Sequence, residues 1–234
     1  MNGAKSITDR FLMRYMERMV WVYVGCVLSF FAAETMAAPA DGRPAPVQKS
    51  SDQDRAIEHF NMGIGHRDKA WSYEEQAEAS TVEKEREQFG DKARREYEKA
   101  LSEQLQAITL DPAMFEAYSS CGYAQRKLGH FAEALKSYDR ALELNADYME
   151  AVEYRAEAYL ELNRIGGAQD AYALLFRRDP ERAELLLLAF DIWLARPPTG
   201  IKAIEIEQVR SWIVAKEETA REMGGTTGEG QKEW

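Results

Sequence analysis

The stretch "GYAQRKLGHFAEALKSYDRALELNAD", residues 122–147, decides the fold. Apolar and small residues recur in it at steps of three and four on both sides of Gly129, so it reads as two amphipathic helices joined by a short turn. None of its side chains has evident chemistry. The hairpin does not stand alone. A slide of 34 residues brings Tyr118, Gly122, Ala134, Tyr138 and Ala141 onto Val152, Ala156, Ala168, Tyr172 and Leu175, and sets ELNAD of 143–147 over RRDPE of 177–181. That is a period at which a helix-turn-helix unit stacks on its own copy. Gly122 and Ala134 are expected where two helix backbones come close, with Tyr138 filling the space beside them.

Units end at Asp111-Pro112 and Asp179-Pro180, while Asn145-Ala146 has lost the proline. With these ends and the doubled pattern, residues 113–180 resemble the tetratricopeptide repeat family. The resemblance implies an all-α, right-handed helical solenoid of about four helix pairs that binds a protein or peptide without catalysis. On that frame, 113–146 and 147–180 are regular repeats, 52–112 is an elongated, degenerate first hairpin, and 181–223 is a degenerate repeat or pair of capping helices.

The first hairpin is read from an irregular spacing. Gly63 in FNMG suits a first-helix midpoint and Ala107 in QLQAITLDP a second-helix end, but they stand 44 positions apart where Gly122 and Ala141 stand 19 apart. The excess is itself periodic, with Ala70, Trp71, Tyr73 and Ala77 on one limb and Phe89, Ala93, Tyr97 and Leu101 on the other. Two readings follow: a protruding antiparallel hairpin bent near Gly90, or a disordered charged insert. After Pro180, ERAELLLLAFDIWLAR is apolar nearly all round and needs burial on more than one side. PPTG at 197–200 stops it, and Ile204, Ile206, Val209, Trp212 and Ile213 are expected to pack a last helix of about 202–222 against it. These helices read as a solubilising cap, or as a homodimer surface. Residues 224–234 read as a polar, disordered tail whose glycines lack the strand and the Gly-Lys-Ser/Thr of a phosphate loop.

At the other end, Arg14 and Arg18 precede the apolar run MVWVYVGCVLSFFAA and the small-residue segment ETMAAPA. Residues 1–38 therefore resemble a secretory signal peptide, cleaved after Ala37, Ala38 or Ala40, with Met13, Met16 and Met19 as further candidate starts. An uncleaved signal anchor is the alternative, although the run is short for a span. A lipid-modified Cys26 fits poorly, since Tyr23 stands where a leucine is expected. Both main readings place the rest outside the cytoplasm, in the periplasm or held at the inner membrane. Residues 39–51, rich in proline, read as a flexible linker.

The formal net charge of −10 and pI near 5.0 disfavour a nucleic-acid partner. Cys26 lies in the signal segment, so a mature chain keeps Cys121 alone, and a disulfide framework is excluded. His59, His66 and His130 complete no ligand set with a cysteine or carboxylate pattern, and no nucleophile elbow, HExxH or dinucleotide fingerprint occurs, so neither metal, cofactor nor catalysis is expected. Cys121, at a first-helix core position, reads as a buried, inert thiol.

What remains is surface. In the family it resembles, the concave groove is lined by the exposed stripe of each first helix. The resemblance places Glu116, Ser119, Tyr123 and Arg126, then Glu150, Glu153, Glu157 and Glu161, as partner-binding residues. The four glutamates share one helical stripe at steps of three and four. They read either as an ordinary solvated face or as an acidic wall awaiting a basic or polar segment. Family members that clamp acidic chaperone tails carry Lys, Arg and Asn there, so that ligand is not expected. The whole points to an adaptor or assembly factor of the bacterial cell envelope, with an envelope-enzyme accessory subunit as the alternative.

Overall fold

In the computed structural model, which describes residues 51–226, every regular element is a helix. The described residues form α1 (Asp52–Ala79), α2 (Glu83–Leu110), α3 (Phe115–Lys127), α4 (Phe131–Leu144), α5 (Met149–Glu161), α6 (Ile165–Arg178), α7 (Pro180–Ala195) and α8 (Ala203–Thr226). The signal segment with Cys26, the linker up to residue 50 and the tail beyond 226 lie outside the described residues; 224–226, expected in the tail, still belong to α8. Among the described residues no helix is long and apolar enough to cross a membrane.

Local chemistry sets several termini. Ser51 Oγ accepts from the Asp54 amide while the Asp54 carboxylate accepts from the Ser51 amide, a reciprocal cap that starts α1. Asp179 accepts from the Arg182 amide and Pro180 occupies the first turn, so the second Asp-Pro pair opens α7. The turns after α3 and α5 need a left-handed residue at one repeat position, which Gly129 (φ 81°) supplies in the first and Asn163 (φ 56°) in the second.

Consecutive helices pack in pairs, and the first helix of each pair also touches the next, α1 on α3, α3 on α5 and α5 on α7. The result is an all-α solenoid of four successive pairs. Small residues permit it: Gly122, Ala134, Ala156 and Ala168 are buried, and Tyr138 and Tyr172 fill equivalent places in successive repeats. A Cβ added at Gly122 would lie 2.8 Å from Tyr138 Cε1, so α3 and α4 meet there at glycine's distance.

The first pair has two limbs of 28 residues each. Its bend lies at residues 80–82 rather than near Gly90, which sits exposed inside α2. Ser80 explains the difference: its Oγ accepts from the Val82 amide (3.1 Å) and bonds Glu85 (2.8 Å), giving the chain a local alternative to helix. Register then follows a seven-residue ladder across the pair. His59 meets Glu103 and His66 meets Glu96, both at 2.7 Å, and Tyr73 stacks on Phe89 with centroids 6.4 Å apart. Beside the ladder, Ala56, Gly63 and Ala70 face the buried row of Ala93, Ala100 and Ala107, so the limbs approach closely.

At the far end α7 buries Ala183, Leu186, Leu187, Phe190 and Trp193. From α8, Val209 and Ile213 are buried, and Trp212 packs on Phe190 (4.9 Å) and Tyr172 (5.2 Å). Ile204 does not join them; it is 62% exposed in the first turn of α8, before that helix reaches the contact. Ile192 on α7 is also exposed, so that helix is not covered all round.

Candidate functional site

The first helices α1, α3 and α5, together with Tyr97 of α2, bring a set of aromatic rings together. Tyr123 on α3 is central: the Trp71 indole donates to its hydroxyl at 2.6 Å, and the rings of Trp71, Tyr97 and Tyr154 lie 5.8, 6.2 and 5.1 Å away. Arg67 lies over Trp71 at 4.3 Å and bonds Asp68, and Arg126 lies over both Tyr123 and Tyr154. Lys127, from the last turn of α3, meets Glu74 of α1 at 2.7 Å and ties the long hairpin to the repeats.

Of the eight residues expected on an exposed stripe, Ser119, Tyr123 and Glu153 are buried. For Tyr123 and Glu153 the correction has one cause. The stripe faces the neighbouring pair before it faces solvent, so α1 covers Tyr123, and α7 sends Arg182 over Glu153. Glu116, Arg126, Glu150 and Glu157 are partly exposed, and Glu161 is exposed.

The four glutamates are not a uniform acidic wall. Arg182 donates to Glu153 at 2.6 Å and to Glu150 at 3.2 Å, and its Nε lies 3.2 Å from Asp179. Arg126 pairs with Glu157 at 2.7 Å. Burial, reinforced by the charge of Glu157, pushes the Glu153 carboxyl up to about 7 against the pull of Arg182. Sequence reasoning missed Arg182 because it sits 29 residues from Glu153, on the next pair. It also missed Trp71 and Tyr154 as partners of Tyr123; first-helix placement of all three aromatics was the available signal.

The remaining reactive groups are tied into the fold. Cys121 is buried, and burial pushes its thiol up to about 11 although the Ser137 hydroxyl donates to its sulfur at 3.8 Å. His59 and His66 are held by carboxylates, and His130 is the exposed residue preceding α4. Among the described residues no three His, Cys, Asp or Glu side chains gather as a metal set would. The arrangement suits noncovalent contact: partly exposed carboxylates and rings, with largely covered guanidinium groups, on a helical face.

A sequence model of the tetratricopeptide repeat matches residues 115–148, which span α3, the turn and α4. No curated protein matches the chain. Among solved structures it is similar to the Arabidopsis OM64 TPR domain, with 15% identity over 58% of this chain and 93% of that one, TM-score 0.46. The first TPR of Spaghetti (RPAP3), bound to the HSP90 peptide SRMEEVD, is 18% identical over 57% of this chain and 94% of its own, TM-score 0.40. The TPR2B domain of yeast Sti1 in its pHsp70 complex is 19% identical over 70% and 98%, TM-score 0.36.

Proposed function

We propose that this chain is a non-catalytic scaffold that binds a protein or peptide segment along the face of its first helices. The observation that carries this reading is the aromatic and guanidinium surface of α1, α3 and α5, where Trp71, Tyr154 and Arg126 stay partly open around buried Tyr123. Rings and guanidinium groups on rigid elements give contact area at small entropic cost. Arg126 and Arg182 already offset three of the glutamates, so the segment that fits is polar with an aromatic or aliphatic anchor rather than strongly basic. Glu116, Arg126, Glu150, Glu157 and Glu161 are the binding residues of that stripe that keep some exposure, with Trp71 and Tyr154 added.

The setting we propose is the bacterial cell envelope, as adaptor or assembly factor, and its support is the apolar run and small-residue boundary of residues 19–40. The membrane-held form, with an uncleaved signal, rests on the same run. A photo-crosslinker replacing Glu161, compared with one replacing exposed Lys136 on α4, tests the binding face in the native envelope. One partner captured at Glu161 and absent at Lys136, and lost with Tyr154→Ala, is the expected result; equal capture at both positions refutes the face. Intact-mass measurement of the exported protein checks the setting, with a mature start between Ala38 and Asp41 expected and retention of residue 20 indicating the anchor.

A further inference from the structure

Helix α7 buries Ala183, Leu186, Leu187, Phe190 and Trp193 on one side, and its opposite side is not polar. Leu185 and Leu188 are partly exposed there and Ile192 is 47% exposed, at steps of three and four that put all three on one stripe. The stripe has a cause in the path of the chain. Counted back 34 residues, Leu185 and Ile192 stand where α5 has Ala151 and Ala158, which are fully buried in one cluster with Tyr138 of the preceding pair. Residues 145–148 join α4 to α5, whereas Asp179 alone joins α6 to α7. The shorter joint gives α7 a different rotation, and the row that α5 turns inward α7 turns outward. Helix α8, by contrast, turns Glu207, Arg210, Ser211 and Glu218 to solvent, as the end of a helical stack requires.

The apolar stripe ends in opposite charges. Exposed Glu181 stands one helical turn before Leu185, and exposed Arg196 one turn after Ile192. Ala189, half-buried against the core, completes the row beside Leu188. The order Glu181, Leu185, Leu188, then Ala189, Ile192, Arg196 has the same spacing read from either end, about a midpoint between Leu188 and Ala189. An antiparallel copy of α7 would therefore set Glu181 against Arg196, Leu185 against Ile192 and Leu188 against Ala189, each pair occurring twice. Every pair is complementary: opposite charges, two branched aliphatic chains, and a large residue against a small one.

We propose that the outer stripe of α7 pairs with that of a second copy of this chain, antiparallel about a two-fold axis between Leu188 and Ala189. The axis brings the start of each helix to the end of the other, so the helix dipoles attract as the end charges do. A partner of different sequence has no need of the symmetric spacing; self-pairing does. From Glu181 to Arg196 the stripe runs about 22 Å. One helix pair of that length belongs to the small, reversible interfaces, which dissociate in the micromolar range. None of these residues belongs to the face of α1, α3 and α5.

Sedimentation of the full chain over a dilution series tests the proposal, with dimers giving way to monomers at a micromolar midpoint. Glu181→Arg and Arg196→Glu should each weaken the dimer about tenfold, because the axis makes each change twice. The variant carrying both should recover the parent affinity, since the exchanged charges again face their opposites. Leu188→Asp should leave a monomer with the circular dichroism of the parent, its side chain lying outside the core. A photo-crosslinker in place of Leu188 should join two identical chains in the producing cell. A chain that stays monomeric up to about 1 mM, a dimer that survives Leu188→Asp and both single reversals, or a double reversal no stronger than the single ones overturns the proposal. So does a crosslink from position 188 to a different protein with none to a second copy.

Discussion

Replacing Gly122 by alanine tests the repeat core most directly, because the same change at Gly90 supplies its own control. Both glycines lie inside helices, so each substitution gains about 1 kcal/mol of helix propensity. At Gly90 nothing lies within 4 Å of the added methyl, and the gain should appear in full. At Gly122 the methyl meets Tyr138 Cε1 at 2.8 Å and Cδ1 at 2.9 Å, closer than carbon atoms approach. Tyr138 is 0% exposed and packed among Ala134, Leu135, Ala141 and Ala151, so its ring has no free direction in which to move. Overpacking of this kind costs about 1–3 kcal/mol. Gly122→Ala should therefore fall below Gly90→Ala by about 2 kcal/mol, or about 4–8 °C in Tm for a folded chain of this size. Thermal and urea denaturation followed by circular dichroism measure both. A Tyr138→Leu background should remove part of the Gly122→Ala penalty, since the two residues touch. If Gly122→Ala gains as much stability as Gly90→Ala, the α3–α4 contact is wrong and the repeat register with it.

Two further outcomes follow from the ion pairs. Arg182→Met leaves Glu153, 4% exposed, without its cation and should cost about 3 kcal/mol at pH 8. Because the Glu153 carboxyl is pushed up from 4.5 to about 7, the folded state holds its proton more tightly than the unfolded one. The penalty should therefore shrink at pH 5, and adding Glu153→Gln should recover most of it; urea midpoints at the two pH values decide. Glu96 shifts the opposite way. Burial raises its pKa, but hydrogen bonds from Lys99 and His66 and the charges of Lys69 and Lys99 win and hold it at about 2. Its contribution, on the order of 3 kcal/mol at most, is present above pH 4.5 and is lost as pH falls towards 2. Glu96→Gln should flatten the acid limb of stability against pH between those values, and an unchanged limb would remove Glu96 from the hairpin's acid response.

The sequence by itself determined the helical class and the 34-residue repeat, because close packing of two helices demands small residues at fixed local spacing and a large ring beside them. Gly122 with Tyr138, and Ala156 with Tyr172, carry that demand openly. It also exposed the long first hairpin through the displacement of Gly63 from Ala107. The bend was not legible. Gly90 is the stronger helix breaker on paper, yet an isolated exposed glycine costs a helix only about 1 kcal/mol, and the ladder of His59–Glu103 and His66–Glu96 places the turn at Ser80. The stripe was legible as a row of glutamates on one helix and misread as a free surface. Burial and charge compensation there come from Trp71 and Arg182, whose contacts to Tyr123 and Glu153 span 52 and 29 residues. Helical periodicity reports which residues share a face, while only the stacking of neighbouring pairs decides whether that face meets water, an aromatic ring or an opposite charge.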